Sequence, residues 1–141
     1  FTDGRYELLD GEILRTMPNE PHTFVNMQLL RRLVEGFGWD YVRIPGSLAA
    51  DAFNEPQPDV AVTVHRQQEY LNTGIPGGSE FRLVIEISDA TLARDRGVKA
   101  LLYARAEVPE YWIANLNGRT LIVHRDPQDG EYRSISTFGE D

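Results

Sequence analysis

The segment Phe81–Ser88 constrains the fold more than any other, because it contains a nearly uninterrupted apolar run, Leu83-Val84-Ile85-Glu86-Ile87. Such a run lacks the alternation of a strand with one face in water and is typical of a central strand covered on both faces. The carboxylate inside it must shift its pKa, pair with a cation or ligate a metal ion, because a bare buried charge is far too costly. The alternative is that Glu86 lies at the strand end and reaches water. The sequence therefore predicts a covered sheet and a first candidate site residue.

The residues before this strand predict a hairpin, a helix and short strands. Residues Arg5–Met17 alternate around Asp10-Gly11, a dipeptide that fills a type I′ turn without strain, which indicates a β-hairpin. Apolar residues at three- and four-residue steps predict a helix that starts near His22 or Thr23 and stops at two glycines. A polar loop with one helical turn, and three strand candidates before it, complete this half: His65–Glu80, and Trp39–Ile44, Ser47–Phe53 and Pro58–Val64.

The residues after it predict a second helix and three more strands. Asp89 or Thr91 caps a helix that runs to about Ala106, with Gly97 in its interior at a cost of about 1 kcal/mol relative to Ala. Turns at Asn117-Gly118 and at 127–130 join three strands, Glu110–Ala114, Arg119–Arg125 and Glu131–Thr137. This order predicts a single domain over residues 1–141 of the α/β class, on the border of α+β, with a mixed β-sheet flanked by helices and with N-terminal and C-terminal hairpins.

The composition excludes several classes of protein. The 141 residues include 22 acidic and 14 basic side chains, and the formal net charge of −8 argues against a polyanion binder that relies on a basic surface. The absence of cysteine excludes disulfides, cysteine-ligated zinc and thiol nucleophiles, and it favours a reducing compartment, which predicts a cytoplasmic protein. No apolar run approaches the roughly 20 residues of a membrane span and no signal peptide is visible, so no membrane partner is expected. Any polyanion site must be local or must use the charge of a metal ion.

Two further charged residues extend the candidate site. Asp59 stands after a proline at the entry of an apolar run, so it faces the same point as Glu86 if the two strands are neighbours. Lys99 lies on the second predicted helix. Each has an ordinary alternative: a Pro-Asp pair often ends a solvated turn, and a lysine four residues after Asp95 fits an ion pair on an exposed helix surface. Convergence of Asp59, Glu86 and Lys99 in one pocket would decide between these interpretations.

The order of these motifs resembles that of a known group of nucleases. Asp59 after a proline, Glu86 in an apolar strand and the following Lys99 are similar to the acidic ligands and the lysine of the PD-(D/E)XK nuclease superfamily. From Tyr6 to about Arg125 the chain resembles more closely the Uma-type restriction endonuclease family, a bacterial group with this nuclease-like fold. The segments that carry this resemblance are Tyr6-Glu7-Leu8-Leu9-Asp10-Gly11-Glu12-Ile13, Gln57-Pro58-Asp59-Val60-Ala61-Val62, Leu83-Val84-Ile85-Glu86-Ile87-Ser88, Arg94-Asp95 with Lys99, Tyr103-Ala104 and Val108-Pro109-Glu110-Tyr111-Trp112-Ile113.

The resemblance implies a metal-dependent endonuclease with DNA as its substrate. It implies that Asp59, Glu86 and the main-chain carbonyl of Ile87 hold Mg²⁺, for which Mn²⁺ can substitute, and that Lys99 assists catalysis. These are hard oxygen donors of the kind that Mg²⁺ prefers, and the ion would reverse the local sign of an acidic protein. A polarised phosphate and a more acidic water would follow from its charge.

One departure from the superfamily pattern concerns the lysine. The usual motif has it two residues after the glutamate, where this chain has Ser88, and the resemblance to the Uma-type family implies that Lys99 reaches the site from the following helix instead. The family resemblance also brings Glu12 and His22 near the site, Glu12 as a further ligand or base. For His22 the alternative is a helix-start histidine with a hydrogen-bonded ring.

Three functions therefore stay open. The first is DNA hydrolysis, and the second is a catalytically silent protein of the same fold that serves as a binding or assembly module. The third is a glycoside hydrolase that uses a pair of carboxylates and has no role for Lys99. The sequence has no phosphate-binding glycine loop with Lys and Ser or Thr, no histidine pair at helical spacing and no Gly-x-Ser-x-Gly turn. A homodimer or higher homo-oligomer is expected, because so small a domain offers little surface for gripping a duplex.

Overall fold

The computed structural model describes residues 5–139. Within this range the chain forms eight strands and four α-helices, numbered here in chain order. The strands are β1 (Arg5–Leu9), β2 (Glu12–Thr16), β3 (Val42–Arg43), β4 (Val60–Thr63), β5 (Phe81–Ser88), β6 (Glu110–Asn115), β7 (Thr120–Gln128) and β8 (Glu131–Gly139). The helices are α1 (Glu20–Phe37), α2 (Tyr70–Thr73), α3 (Leu92–Arg96) and α4 (Val98–Arg105).

Six of the strands form one mixed sheet in the order β3-β4-β5-β6-β7-β8. All neighbours in it are antiparallel except β5 and β6, which run parallel. A parallel pair needs a crossover connection, and α3 and α4 lie in the segment that supplies it. The strands β1 and β2 form a separate hairpin. The predicted fold class, a mixed sheet flanked by helices with hairpins at both ends, is confirmed.

Strand β5 is covered on both faces, as its apolar run predicts. On one face Val84 packs in a buried cluster with Tyr103 of α4. On the other face Leu83 and Ile85 pack in a second cluster that includes Leu33 of α1. Because successive residues of a strand point to opposite faces, a strand between two layers must be apolar at consecutive positions. Each such aliphatic side chain contributes about 1.5–3 kcal/mol when buried.

Two of the three predicted turns have the expected backbone. Both residues of Asp10-Gly11 have positive φ, 51° and 80°, and so do both residues of Asp129-Gly130, 53° and 79°, as a type I′ turn requires. The predicted hairpin connection at Asn117-Gly118 is present, but it is not a two-residue type I′ turn. The residue with positive φ is Arg119, at 53°, and its N–H donates to the carbonyl of Leu116 at 3.3 Å, so the connection is one residue longer at each side.

The helix boundaries differ from the predicted ones for identifiable reasons. Helix α1 begins at Glu20, before the predicted start, because Asn19 caps it by accepting a hydrogen bond of 3.0 Å from the His22 N–H. The single helix predicted up to Ala106 is divided at Gly97, whose φ of −98° and ψ of −97° lie outside the helical region. This conformation is accessible because glycine has no Cβ. No helix of residues 5–139 is long and apolar enough to cross a membrane.

The weaker strand predictions are partly wrong. The segment 39–44 forms a 3-10 turn, Trp39–Tyr41, followed by only two residues of strand. The segment 47–53 forms no strand. The N–H groups of Leu48 and Ala49 donate to the backbone carbonyls of Pro56 and Pro76, which lie in two separate loops. The apolar character of this segment is explained by the complete burial of Leu48 in the core. Burial of an irregular segment leaves the same hydrophobic pattern as a short strand.

Candidate active site

A cavity of about 320 Å³ lies where the hairpin, the start of α1, β5 and the α3–α4 segment meet. It is lined by Asp59, Glu86 and Lys99, the three residues whose convergence the sequence left open. His22 and Ile87 line it as well. All three charged residues are almost fully buried, with 1% of Asp59, 4% of Glu86 and 2% of Lys99 exposed.

The register of β4 against β5 places the two carboxylates side by side. Val60 pairs with Ile85 in this antiparallel pair, so Asp59, one residue earlier, lies level with Glu86. Residues directly opposite each other in antiparallel strands project to the same face. The Ile87 N–H donates a hydrogen bond of 2.7 Å to Oδ2 of Asp59, which also holds this carboxylate against β5.

Asp59 is held by two basic side chains. Its Oδ1 lies within ion-pair distance of Arg5, and it lies 2.9 Å from Nε2 of His22. Burial raises the pKa of Asp59, but the contact with His22 and the charge of Arg5 outweigh burial, so that the pKa lies below its usual value. Asp59 is therefore an ionised, buried carboxylate. His22 is the third residue of α1, and the capped start of that helix fixes its position.

Lys99 is the only lysine of the chain, and the other 13 of its 14 lysine and arginine residues are arginines. Its Nζ donates to Oε2 of Glu86 and to Oε1 of Glu7, the latter at 2.6 Å. Burial lowers the pKa of Lys99, but the two carboxylates outweigh it and hold the pKa above its usual value. The alternative of an exposed ion pair with Asp95 is wrong, because the side chain points inward.

Glu86 is the most strongly perturbed acid of the cavity. Its pKa is raised to about 8: burial is the main cause and the neighbouring negative charges add to it, whereas the Lys99 ammonium lowers the pKa. Its Oε2 accepts a second hydrogen bond, of 2.7 Å, from the hydroxyl of Tyr103. Glu86 is thus a carboxylate with a fixed position and a strong tendency to keep a proton or to gain a cation.

Asp95 adds a further buried carboxylate to the cavity wall. Its Oδ2 accepts hydrogen bonds from the hydroxyls of Ser88 and Thr91, the second at 2.9 Å. Burial raises its pKa, the bond from Ser88 opposing this. Ser88 stands where the superfamily motif has its lysine, and in this chain that position holds an acid on α3 instead of contributing a cation.

The expectation that Glu12 lies beside the site is not met. Glu12 pairs with Leu9 at the turn end of the hairpin, is exposed, and does not line the cavity. The acid that the hairpin brings to the cavity is Glu7, two residues before Leu9 on the same face and so about 7 Å nearer the site. Arg5, two residues further along that face, reaches Asp59.

Comparison with known proteins identifies the family of the chain. A family model named Uma2, described as "Putative restriction endonuclease", matches residues 1–141. The chain belongs to the Uma2 family. Its resemblance to a solved structure, described as a putative nuclease belonging to DUF820 from Anabaena variabilis ATCC 29413, has a TM-score of 0.67 at 17% sequence identity and covers 99% of this chain and 79% of the other. At 17% identity this similarity is evidence for the fold of the Uma2 chain and not for its activity. The search of curated proteins gave no significant match.

In the Uma2 chain the acidic residues contact the protein's own cations. No group of three or more His, Asp or Glu side chains within residues 5–139 is arranged to hold a metal ion. Asp59 contacts Arg5 and His22, and Glu86 contacts Lys99. The arrangement therefore offers two neighbouring carboxylates and a compact ammonium in one cavity.

Proposed function

We propose that the protein is an endonuclease that hydrolyses phosphodiester bonds of DNA with the help of Mg²⁺ or Mn²⁺. Membership of the Uma2 family supports nuclease activity as the class of function. The observation that carries the proposal is the convergence of Asp59, Glu86 and Lys99 in one buried cavity. A glycoside hydrolase would have no use for a buried lysine between its carboxylates, so this alternative loses its support.

Asp59, Glu86 and the main-chain carbonyl of Ile87 would hold the ion. Mg²⁺ is usually bound by one or two carboxylates and keeps several waters, so a preformed group of three acidic side chains is not required. The charge of the cavity fits a divalent cation, because five acidic side chains line it against three basic side chains that are charged at all ordinary pH values. The acids are Glu7, Asp59, Glu86, Asp89 and Asp95, and the cations are Arg5, Arg94 and Lys99. When bound, such an ion supplies charge that polarises a phosphate and makes a nearby water more acidic.

The chain's own residues then orient and stabilise the reaction. In hydrolysis a water oxygen attacks phosphorus, the bond from phosphorus to the leaving sugar oxygen breaks, the water gives up a proton, and the leaving oxygen takes one up. The carboxylates around Lys99 keep its pKa high, so it acts as a fixed cation beside the phosphate and not as a base. The Ile87 N–H and His22 hold Asp59, and the Tyr103 hydroxyl holds Glu86.

A second candidate function is a binding or assembly module without catalysis. The observation that favours it is that Lys99 already forms ion pairs with Glu7 and Glu86. Such a closed network is also what a purely structural cluster of buried charges looks like. The net charge of −8 adds to this, since it gives the surface little general affinity for DNA.

The test combines metal binding with cleavage of supercoiled plasmid and of single-stranded DNA in Mg²⁺ or Mn²⁺. Calorimetry should detect Mn²⁺ binding that is lost in Asp59→Asn and in Glu86→Gln, and both variants should lose cleavage. Lys99→Ala should keep Mn²⁺ binding while the cleavage rate falls about 100-fold or more, or about 3 kcal/mol of transition-state stabilisation. Lys99→Arg should restore little, because a planar guanidinium does not replace a compact ammonium.

Glu12→Gln serves as the matched control, because it removes an acid from the same hairpin at an exposed position outside the cavity. It should bind Mn²⁺ and cleave DNA as the parent does. Unchanged Mn²⁺ binding in both carboxylate variants would refute the metal site. Mn²⁺ binding without cleavage of either DNA, or full activity of Lys99→Ala, would favour the binding module.

A further inference from the structure

Glu7 has no part in the reaction described above, although it contacts the lysine on which that reaction depends. Its Oε1 accepts a hydrogen bond of 2.6 Å from Lys99 Nζ and another of 2.8 Å from the backbone N–H of Gln57. Glu7 is 7% exposed, so its charge is largely removed from water. A separate hairpin thus places a buried carboxylate against a residue 92 positions later in the chain.

Lys99 needs such a partner because its place in the fold disfavours a cation. It is the second residue of α4, and the first turn of a helix carries partial positive charge. Burial of the ammonium adds a further cost. Glu86 offsets part of this cost, but under the proposed function the same carboxylate also serves a divalent cation, which repels an ammonium. Glu7 has no such second duty.

We propose that Glu7 is a positioning residue, which holds the Lys99 ammonium at the cavity while Glu86 serves the metal ion. The expected effect of Glu7 on turnover rests on the proposed function, whereas the positioning of the Lys99 ammonium by Glu7 does not. The backbone around Glu7 is fixed for this task. Leu8 exchanges two hydrogen bonds with Glu55, of 3.1 and 2.7 Å, so the carboxylate is anchored on both sides. The hairpin therefore contributes a positioning residue to the site.

The first experiment uses Glu7→Gln, which keeps the size of the side chain and an oxygen that accepts from the Gln57 N–H, and removes only the charge. We expect kcat for DNA cleavage to fall about 10-fold or more, with KM and the Mn²⁺ affinity within about twofold of the parent. In a Lys99→Ala background the same change should have no further effect on kcat, because Glu7 acts through Lys99. Glu12→Gln, on the same face of the hairpin, should keep the parent kcat.

The second experiment observes the ammonium directly. Because the chain has one lysine, the protein grown with ¹⁵N-labelled lysine gives a single Nζ signal in nuclear magnetic resonance. In the parent this signal should be visible at neutral pH without added metal, since a buried, hydrogen-bonded ammonium exchanges its hydrogens slowly. Glu7→Gln should broaden or remove it, and Glu12→Gln should leave it unchanged.

The outcomes separate the two proposals. If the parent cleaves no DNA, the proposed function fails, and the Nζ signal still tests the positioning. An Nζ signal that is unchanged in Glu7→Gln overturns the positioning role. The role is also overturned if Glu7→Gln cleaves as fast as the parent, if its loss lies in KM or Mn²⁺ affinity, or if it lowers kcat equally in the Lys99→Ala background.

Discussion

Glu86 should make the metal-free protein less stable as the pH rises, and Glu86→Gln should remove this loss. The pKa of Glu86 is about 8 in the folded protein against 4.5 for an ordinary glutamate. Between these values the folded state keeps a proton that the unfolded state has released. Stability therefore falls as the pH rises through this range, and the loss is complete above the folded pKa.

The size of the effect follows from the two pKa values. Each unit of difference corresponds to about 1.36 kcal/mol, so the free energy of unfolding should fall by about 3 kcal/mol between pH 5 and pH 8 on account of Glu86 alone. Other acids titrate as well, and the informative quantity is the difference between the variant and the parent. We expect Glu86→Gln to gain about 3 kcal/mol on the parent between pH 5 and pH 8.

The assay is urea unfolding followed by the fluorescence of the two tryptophans, with EDTA present at every pH. Glu35→Gln is the matched control, because Glu35 is exposed on α1 and its removal should leave the pH dependence of the parent intact. A difference between Glu86→Gln and the parent that stays constant from pH 5 to pH 8 would show that Glu86 ionises normally. The interpretation of Glu86 as an acid whose surroundings favour a proton or a bound cation would then be refuted.

Three further predictions concern the packing around the site and the assembly. Tyr103→Phe removes the hydroxyl that donates to Glu86 at 2.7 Å and should cost about 1–3 kcal/mol in urea unfolding; a change below about 0.3 kcal/mol would argue that this bond contributes nothing. Gly78→Ala should lower the melting temperature, because its Cβ would lie 1.9 Å from the Ala106 carbonyl oxygen, whereas Gly36→Ala has nothing within 4 Å and should raise it; the reverse order would contradict this packing. Light scattering should give the mass of a dimer or larger oligomer, and a monomer of 16.0 kDa at micromolar concentration would contradict the expected assembly.

The sequence predicts those parts of the fold that depend on local chemistry. The turns at Asp10-Gly11 and Asp129-Gly130 follow from residues that tolerate positive φ, and β5 follows from an apolar run that only a doubly covered strand requires. The division at Gly97 has no such local signal, because one glycine inside a helical pattern is tolerated at a cost of about 1 kcal/mol relative to Ala.

The site illustrates a different limit of the sequence. Hydrophobicity alone would bury Val98 and Leu101 and expose Lys99, but α4 does the reverse, because the lysine has carboxylate partners from distant segments. Glu7 escapes notice for a related reason. Leu8 and Leu9 are adjacent and both apolar, so the pattern does not reveal which face of the hairpin packs against the sheet.

The long separation between Glu7 and Lys99 has a consequence for the synthesis of the protein. The ribosome makes Glu7 92 residues before it makes Lys99, which at roughly 5–20 residues per second is an interval of about 5–20 s. During that interval the cavity lacks its lysine and the helix that carries it. A nascent chain, or a fragment released before residue 99, therefore has no complete site.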